Sequence, residues 1–294
     1  MAALRPDTPF NNESSPKRPA GQLEEISEEL ADLAESAARE AGHYVSEKFR
    51  EGVSAEEKAG YQDLVTEHDR AAERLITQQV MRKHPDSTII GEEGGRTGNG
   101  TARWYVDPID GTSNFAVGVP FYCVSIGVVL DDQLVAAALY DPERDEMFRA
   151  SKSAATLNGS PLIARGADSD NTALLFTGFP YEGGHASAGD HEQFSSMIGS
   201  FRSVRRLGSS ALGLAYVAAG RGDVALDLSA NPWDIAAGLF LVQQAGGHFV
   251  TEAEASDAPW DARRYVASVS DFDVTQSCIR DIVSHPVPGA RRPL

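Results

Sequence analysis

The stretch WYVDPIDGTSNF, Trp104 to Phe115, runs an apolar, strand-forming segment straight into two aspartates three residues apart. Asp107 precedes a proline, Asp110 precedes a glycine, and Thr112 follows. Two like charges at the end of a buried strand repel one another. Either they lie in a solvated turn, or a cation belongs between them. A proline turn can aim both carboxylates and the Ile109 carbonyl at one point, which favours the cation.

Outward from this stretch the pattern alternates between helix and strand. Upstream, Leu23, Ile26, Leu30, Leu33, Ala37, Ala41, Val45 and Phe49 recur at three- and four-residue steps, the stripe of a long amphipathic helix. A second helix is predicted from Thr66 to just before Pro85, followed by short strands at STIIGEE (87–93) and ARWYVD (102–107). Downstream, FYCVSIGVVL, QLVAAALYD and DEMFRAS (121–151) read as an antiparallel meander with turns at DDQ and PERD. LLFTGF, SALGLAYVAAG, DVALDL, PWDIAAGLFLVQQAGG, RYVASVS and DVTQSCIRDIV then read as strand, helix, strand, helix, strand and helix. Gly246-Gly247 stops the second of these helices. YEGGHASAGDH, which holds His185 and His191, reads as a Gly/Ser-rich loop, and His68 as a surface or hydrogen-bonding residue. Sizeable antiparallel stretches in mixed order predict α+β layers, not a doubly wound parallel sheet.

The chain has 294 residues, with 43 Asp and Glu against 26 Lys and Arg and a formal charge of −17. That sign argues against non-specific binding to nucleic acid or to an anionic membrane. It leaves a phosphate substrate open, because bound divalent cations invert the field locally. Cys123 and Cys278 make no metal-ligand spacing and read as small apolar residues in a reducing cytoplasm. No apolar run approaches a membrane span, and MAALRPDTPF lacks the apolar core of a signal peptide. The expectation is a soluble, cytoplasmic protein with a disordered tail over 1–21, a folded unit over 22–284 and a frayed end over 285–294.

The remaining acids fall where apolar elements end. Glu92 and Glu93 follow TIIG, and Asp234 opens a helix. Carboxylates without histidine or cysteine select hard cations, Mg²⁺ or Mn²⁺ and not zinc. Two such ions about 3.5–4 Å apart need several carboxylates. Each residue also has a plain structural explanation. Asp110-Gly111-Thr112 can be a turn and helix start, Glu92 and Glu93 solvated loop charges, and Asp234 an acid favoured by the helix dipole. Asp69, three residues after Thr66, completes a capping box with Asp in place of Glu. The combination is what argues for a site.

GEEGG, WYVDPIDGTSNF and NPWDIAAGLFLVQQAGG, in this order and separation, resemble the inositol monophosphatase family of metal-dependent small-molecule phosphatases, related to fructose bisphosphatase. DLVTEHD and RRLGSSALGLAYVAAGRGDVALD fit the same pattern, so the resemblance spans Leu23 to Val283. It implies an α-β-α-β-α layered sandwich, with a metal-site half over 22–150 and a substrate-side half over 151–284. It implies that Glu92, Asp107, the Ile109 carbonyl, Asp110 and Asp234 hold two or three Mg²⁺ ions. Asp69 and Thr112, with Glu92, form the catalytic set that orients a water for attack. Gly111 and Thr112 offer backbone N–H groups to the phosphate. Lys58 in EEKAGYQD falls near a lysine position of the family, although the local match is weak.

Substrate choice is less legible. Asp227, seven residues before Asp234, stands where inositol-type members often carry a glutamate that accepts from substrate hydroxyls; it reads equally as a strand-end acid. Ser209 and Ser210 line the same pocket or cap the next helix. The resemblance ranks inositol 1-phosphate first, histidinol phosphate second and phosphoadenosine phosphate third. It also implies lithium sensitivity and a homodimer. No Gly-x-Ser-x-Gly elbow and no Walker A string occurs. A non-catalytic regulatory binding protein on this scaffold is the alternative of another class.

Overall fold

The fold was established from a computed structural model that describes residues 19–51, 56–60, 63–180, 187–251 and 258–282. The first element, α1 (Ala20–Glu51), spans 32 residues. The hairpin β1 (Glu56–Gly60) and β2 (Asp63–Val65) leads into α2 (Glu67–Lys83). Next come β3 (Ser87–Gly91), β4 (Gly95–Gly98), β5 (Ala102–Asp110), the short α3 (Thr112–Val117), β6 (Cys123–Leu130), β7 (Gln133–Asp141), β8 (Glu146–Ala150), β9 (Ala155–Leu157) and β10 (Ser160–Pro161). The rest is β11 (Leu174–Thr177), α4 (Ala188–Ser200), β12 (Ser203–Arg205), α5 (Ser210–Ala218), β13 (Val224–Asp227), α6 (Pro232–Gln244), β14 (His248–Thr251) and β15 (Tyr265–Ser268).

The large sheet has the order β10-β9-β8-β7-β6-β5-β3-β4 and is antiparallel except where β3 runs parallel to β5. The small sheet has the order β12-β11-β13-β15-β14, with β11 parallel to both β12 and β13. One face of the large sheet is covered by α1 and α2, where Leu30, Val45, Ile76 and Val80 pack on Trp104, Val106, Ile126 and Val128. A run of alanines on α1 (Ala31, Ala34, Ala37, Ala38, Ala41), all buried, lets that helix lie close to β7. The other face meets α5 and α6, which are shared with the small sheet in one core with Leu139, Phe148, Leu214, Phe240, Leu226 and Val266. Every residue of β13 and β15 is buried. The far face of the small sheet is closed by α4 and the turns over 272–282, through Met197, Phe201, Phe272, Ile279 and Ile282. The layers therefore run α-β-α-β-α, as expected.

Three expectations need correction, the last being the end of the tail. Over its described residues, 273–282, DVTQSCIRDIV is not a helix: they hold a 3-10 turn at Val274–Gln276 and then successive single turns. The Asp273 side chain accepts from the Thr275 N–H at 2.9 Å, and Asp170 takes the Cys278 N–H at 2.9 Å, so local side chains capture the amides a helix would use. The second half of YEGGHASAGDH is not loop either, because Ser187 and Asp190 form a capping box that starts α4. The stretch 181–186, His185 within it, lies outside the described residues, as do 1–18 of the expected tail and 283–294. Ala20 and Gly21 belong to α1. Cys123 is buried and Cys278 exposed, both as free thiols.

Candidate active site

A register irregularity in β5 builds the centre of the site. Asp107 and Asp110 are three residues apart, which on a regular strand places their side chains on opposite faces. Asp107 pairs with Ser125 of β6 and Asp110 with Cys123, so three steps on β5 match two on β6. The extra residue turns both carboxylates to the same side. Asp107 Oδ1 accepts from the Ile109 N–H at 2.9 Å, which fixes the Pro108 turn from within. Asp110 Oδ2 accepts from the Ser209 hydroxyl and, at 2.8 Å, from the Ala211 N–H at the start of α5.

Asp234 arrives from α6. Pro232 occupies the first turn of α6, and Asn231 and Asp234 form its capping box, with the Asn231 N–H donating to Asp234 Oδ2 at 2.7 Å. The Ser125 hydroxyl donates to the Trp233 carbonyl at 3.3 Å, tying the start of α6 to the residue paired with Asp107. Gly127 on β6 makes this approach possible, since a Cβ there would stand 2.6 Å from Ala236 Cβ. The result is that Asp107, Asp110 and Asp234 each offer an oxygen within 4.8 Å of the others.

Three ionised carboxylates at that separation are costly. At an effective dielectric near 20, each pair repels by roughly 3 kcal/mol. Burial, then the charges of Glu92, Asp110 and Asp234, pushes the Asp107 carboxyl well above its ordinary value. Burial, then Asp110, does the same to Asp234. Asp110, buried but stabilised by Ser209 and the N–H groups of α5, is pushed up to about 6. An all-oxygen donor set with this much uncompensated charge fits a hard divalent cation.

The other expected residues surround this cluster. Glu92 is half-buried at the end of β3, with its N–H on the Val106 carbonyl at 3.1 Å and its charge felt by both Asp107 and Asp234. The Thr112 hydroxyl stands 3.0 Å from the Ile109 carbonyl oxygen and 3.1 Å from Asp69 Oδ1, two alternative acceptors for its one proton. Asp69 Oδ2 takes the Thr66 N–H at 2.8 Å and the Thr66 hydroxyl at 2.5 Å, so the α2 capping box also fixes Asp69 at the site. Burial raises the Asp69 carboxyl in spite of those bonds. Gly111 has φ +101°, and a Cβ there would lie 3.0 Å from the Phe121 carbonyl oxygen, so only glycine fits between Asp110 and Thr112.

Asp110 and Ser209 form one wall of a cavity of about 550 Å³, with Asp227, Gly178, Arg206 and Tyr265 further along it. Ser209 both caps α5 and donates to Asp110. Asp227 Oδ1 accepts from the Leu228 and Ser229 N–H groups at 2.7 and 3.3 Å, while Oδ2 accepts from the Ser210 hydroxyl at 3.1 Å. Burial raises its carboxyl. Lys58 lies on β1, and its side chain is outside the described residues. His68 Nδ1 pairs with the Tyr44 hydroxyl at 3.1 Å.

Two residues of the site were missed in the sequence reading. Arg206 donates to the Gly178 and Pro180 carbonyls at 3.3 and 3.2 Å, at the far side of the cavity. Glu73 of α2 accepts from two backbone N–H groups of the Glu92 turn. The signal for Glu73 was available, as a carboxylate in the same helical stripe as Ala72, Ile76 and Val80.

A profile of the inositol monophosphatase family matches residues 26–282. The chain belongs to the inositol monophosphatase family. Similar relatives include a protein named Nus factor SuhB from Pseudomonas aeruginosa, 41% identical over 74% of this chain and 83% of the relative. Another is an inositol-1-monophosphatase from Synechocystis, 38% identical over 74% of this chain and 76% of that protein. Among solved structures, an inositol monophosphatase from Anabaena superposes with a TM-score of 0.75 at 30% identity, covering 90% of this chain and 99% of its own. Mycobacterium tuberculosis SuhB gives 0.69 at 31% identity, covering 87% and 94%. Membership in the inositol monophosphatase family supports a phosphatase, and the Asp107–Asp110–Asp234 cluster is where this member could bind a metal. Among the described residues no helix is long and apolar enough to cross a membrane.

Proposed function

We propose that the chain hydrolyses a small-molecule phosphomonoester with Mg²⁺, inositol 1-phosphate first among the candidates, and that Mn²⁺ substitutes. The observation that carries this reading is the convergence of Asp107 and Asp110 of β5 with Asp234 of α6, at the cavity that Asp110 lines. Glu92 and the Ile109 carbonyl complete the set that would hold two or three ions. Bound there, the cations supply charge neutralisation for the phosphoryl oxygens and the leaving alkoxide, and they acidify the attacking water.

The chain's own groups do the positioning. Thr112, with its proton directed at Asp69 Oδ1, offers an oxygen lone pair to the attacking water, and Asp69 receives a proton through it. The Gly111 and Thr112 N–H groups at the start of α3 face the phosphoryl group in this arrangement. Asp227 Oδ2 accepts from the Ser210 hydroxyl and offers a further lone pair to a hydroxyl of the leaving alcohol. That supports a polyol phosphate. Histidinol phosphate and phosphoadenosine phosphate remain the second and third candidates. No side-chain nucleophile is required, so orientation and charge stabilisation carry the reaction.

The metal-site half over 22–150 supplies Glu92, Asp107 and Asp110, and the half over 151–284 supplies Asp227 and Asp234. We further propose a cytoplasmic homodimer, on the family resemblance alone and tested by sedimentation, without nucleic-acid affinity, which the charge of −17 supports and a filter-binding assay tests. The decisive experiment is a Mg²⁺-dependent phosphate-release screen across polyol, amino-alcohol, nucleotide and sugar phosphates. Release from inositol 1-phosphate that disappears in Asp110→Asn is expected. A purified chain that releases phosphate from none of them refutes hydrolysis and favours a binding role of the kind the name Nus factor suggests for its relatives.

A further inference from the structure

Glu73 lies four residues after Asp69 on α2, in the stripe that faces the large sheet, and is only 7% exposed. A carboxylate at such a position is costly unless its oxygens are engaged. Here both are: Oε2 accepts from the Glu93 N–H at 2.8 Å and Oε1 from the Gly94 N–H at 2.7 Å. The chain has made room for this contact. A Cβ on Gly91 would stand 2.2 Å from Glu73 Oε2, and one on Gly94 would stand 2.5 Å from Oε1.

The turn held in this way is the one that carries Glu92. Its first amide, that of Glu92, donates to the Val106 carbonyl at 3.1 Å, one residue before Asp107. The next two donate to Glu73. Three successive backbone N–H groups are thus fixed, one by β5 and two by a single buried side chain. Because Asp69 and Glu73 are separated by one helical turn, they share a face of α2, and that one helix fixes both Asp69 and the Glu92 turn.

We propose that Glu73 is a positioning residue for the metal centre. It does not touch the ions; it locks the Glu92–Gly94 backbone so that the Glu92 carboxylate stands beside Asp107 before a cation arrives. An unpinned three-residue turn would have to be ordered during binding, and that ordering cost would come out of the metal affinity. The inference rests on the metal-dependent reading of the site.

The test is isothermal titration of Mg²⁺ into the wild-type chain, Glu73→Gln and Ile76→Val, alongside the Mg²⁺ dependence of phosphate release. Glu73→Gln keeps the volume but sets an NH₂ group against one of the two amide donors. Partners that orient a metal ligand typically carry about 10–100-fold in metal affinity. That loss is expected for Glu73→Gln, in the dissociation constant and in the Mg²⁺ concentration for half-maximal turnover, with kcat at saturating Mg²⁺ within a few-fold of wild type. Ile76→Val, on the same stripe, should lower the melting temperature and bind Mg²⁺ like wild type. Equal Mg²⁺ affinity in wild type and Glu73→Gln overturns the proposal, whatever the melting temperatures. If Glu73→Gln does not fold, Glu73→Asp, which keeps the charge and withdraws both oxygens by one methylene, is judged by the same criterion. A wild-type chain that binds no Mg²⁺ at all defeats the metal reading itself, a separate outcome.

Discussion

Replacing Asp110 by asparagine should stabilise the metal-free protein while ending its turnover. Burial pushes the Asp110 carboxyl up to about 6, even with hydrogen bonds from Ser209 and Ala211. An unfolded chain holds the same proton with a pKa of about 3.9. The folded state therefore binds the proton more tightly. Its contribution to stability is complete below about pH 4 and is lost as pH rises through about 6. Near pH 7 the ionised group costs about 2 × 1.36, or roughly 3 kcal/mol. Asparagine escapes that cost but weakens the two charge-assisted hydrogen bonds from Ser209 and Ala211, a combined loss of about 1–2 kcal/mol. The net gain is on the order of 1–2 kcal/mol, equivalent to roughly 2–6 °C in melting temperature for a chain of this size. Thermal unfolding in EDTA near pH 7 should show that gain, and it should shrink near pH 4.5. Mg²⁺ should raise the wild-type melting temperature and leave the variant nearly unmoved. A wild type more stable than Asp110→Asn in EDTA near pH 7, or equal stabilisation of both by Mg²⁺, would refute this reasoning.

Other outcomes follow from neighbouring contacts. Thr66→Ala removes the α2 cap and one of the two donors on Asp69 Oδ2, so a loss of about 1 kcal/mol in urea unfolding should accompany a drop in kcat that exceeds any change in KM. Gly111→Ala forces a Cβ against the Phe121 and Gly208 carbonyl oxygens at φ +101°; a destabilisation of more than about 1 kcal/mol and loss of activity are expected in the same assays. Asp227→Ala should change the ranking of polyol against amino-alcohol phosphates in kcat/KM, and an unchanged ranking would remove Asp227 from substrate selection. A lithium dose series should inhibit phosphate release, and a flat response would count against the expected mode of metal binding.

The layers were legible because their helices and central strands carry strong periodicity. The apolar stripe of α1 and the buried runs of β6 and β7 could hardly be read otherwise. The elements that escaped carry little apolar signal. All four residues of β4, GRTG, are exposed, and α4 buries only Met197. The error at DVTQSCIRDIV has the opposite cause: apolar residues at helical spacing are present, but Asp170 and Asp273 capture the backbone first. In the site, the acids at element ends could be identified individually, whereas spacing alone gave Asp69 only its capping role and the family resemblance was needed to pair it with Thr112. That Asp69 serves both the cap and Thr112 is a three-dimensional fact. Glu73 went unread because an isolated acid on an apolar stripe has no visible partner until the turn after β3 is folded against it.

The mismatch between β5 and β6 at Asp107 and Asp110 has an evolutionary corollary. With three links between the acids, flawless pairing along this ladder and a shared bay exclude one another: healing the ladder by one insertion in β6 would leave the acids on opposite faces of the sheet, and healing it by one deletion from β5 would remove the Pro108–Ile109 turn that sets them. Point substitutions in this hairpin can drift, but changes of length cannot. Descendants of this sequence should therefore vary the chemistry around Pro108 far more readily than the number of links between the two aspartates.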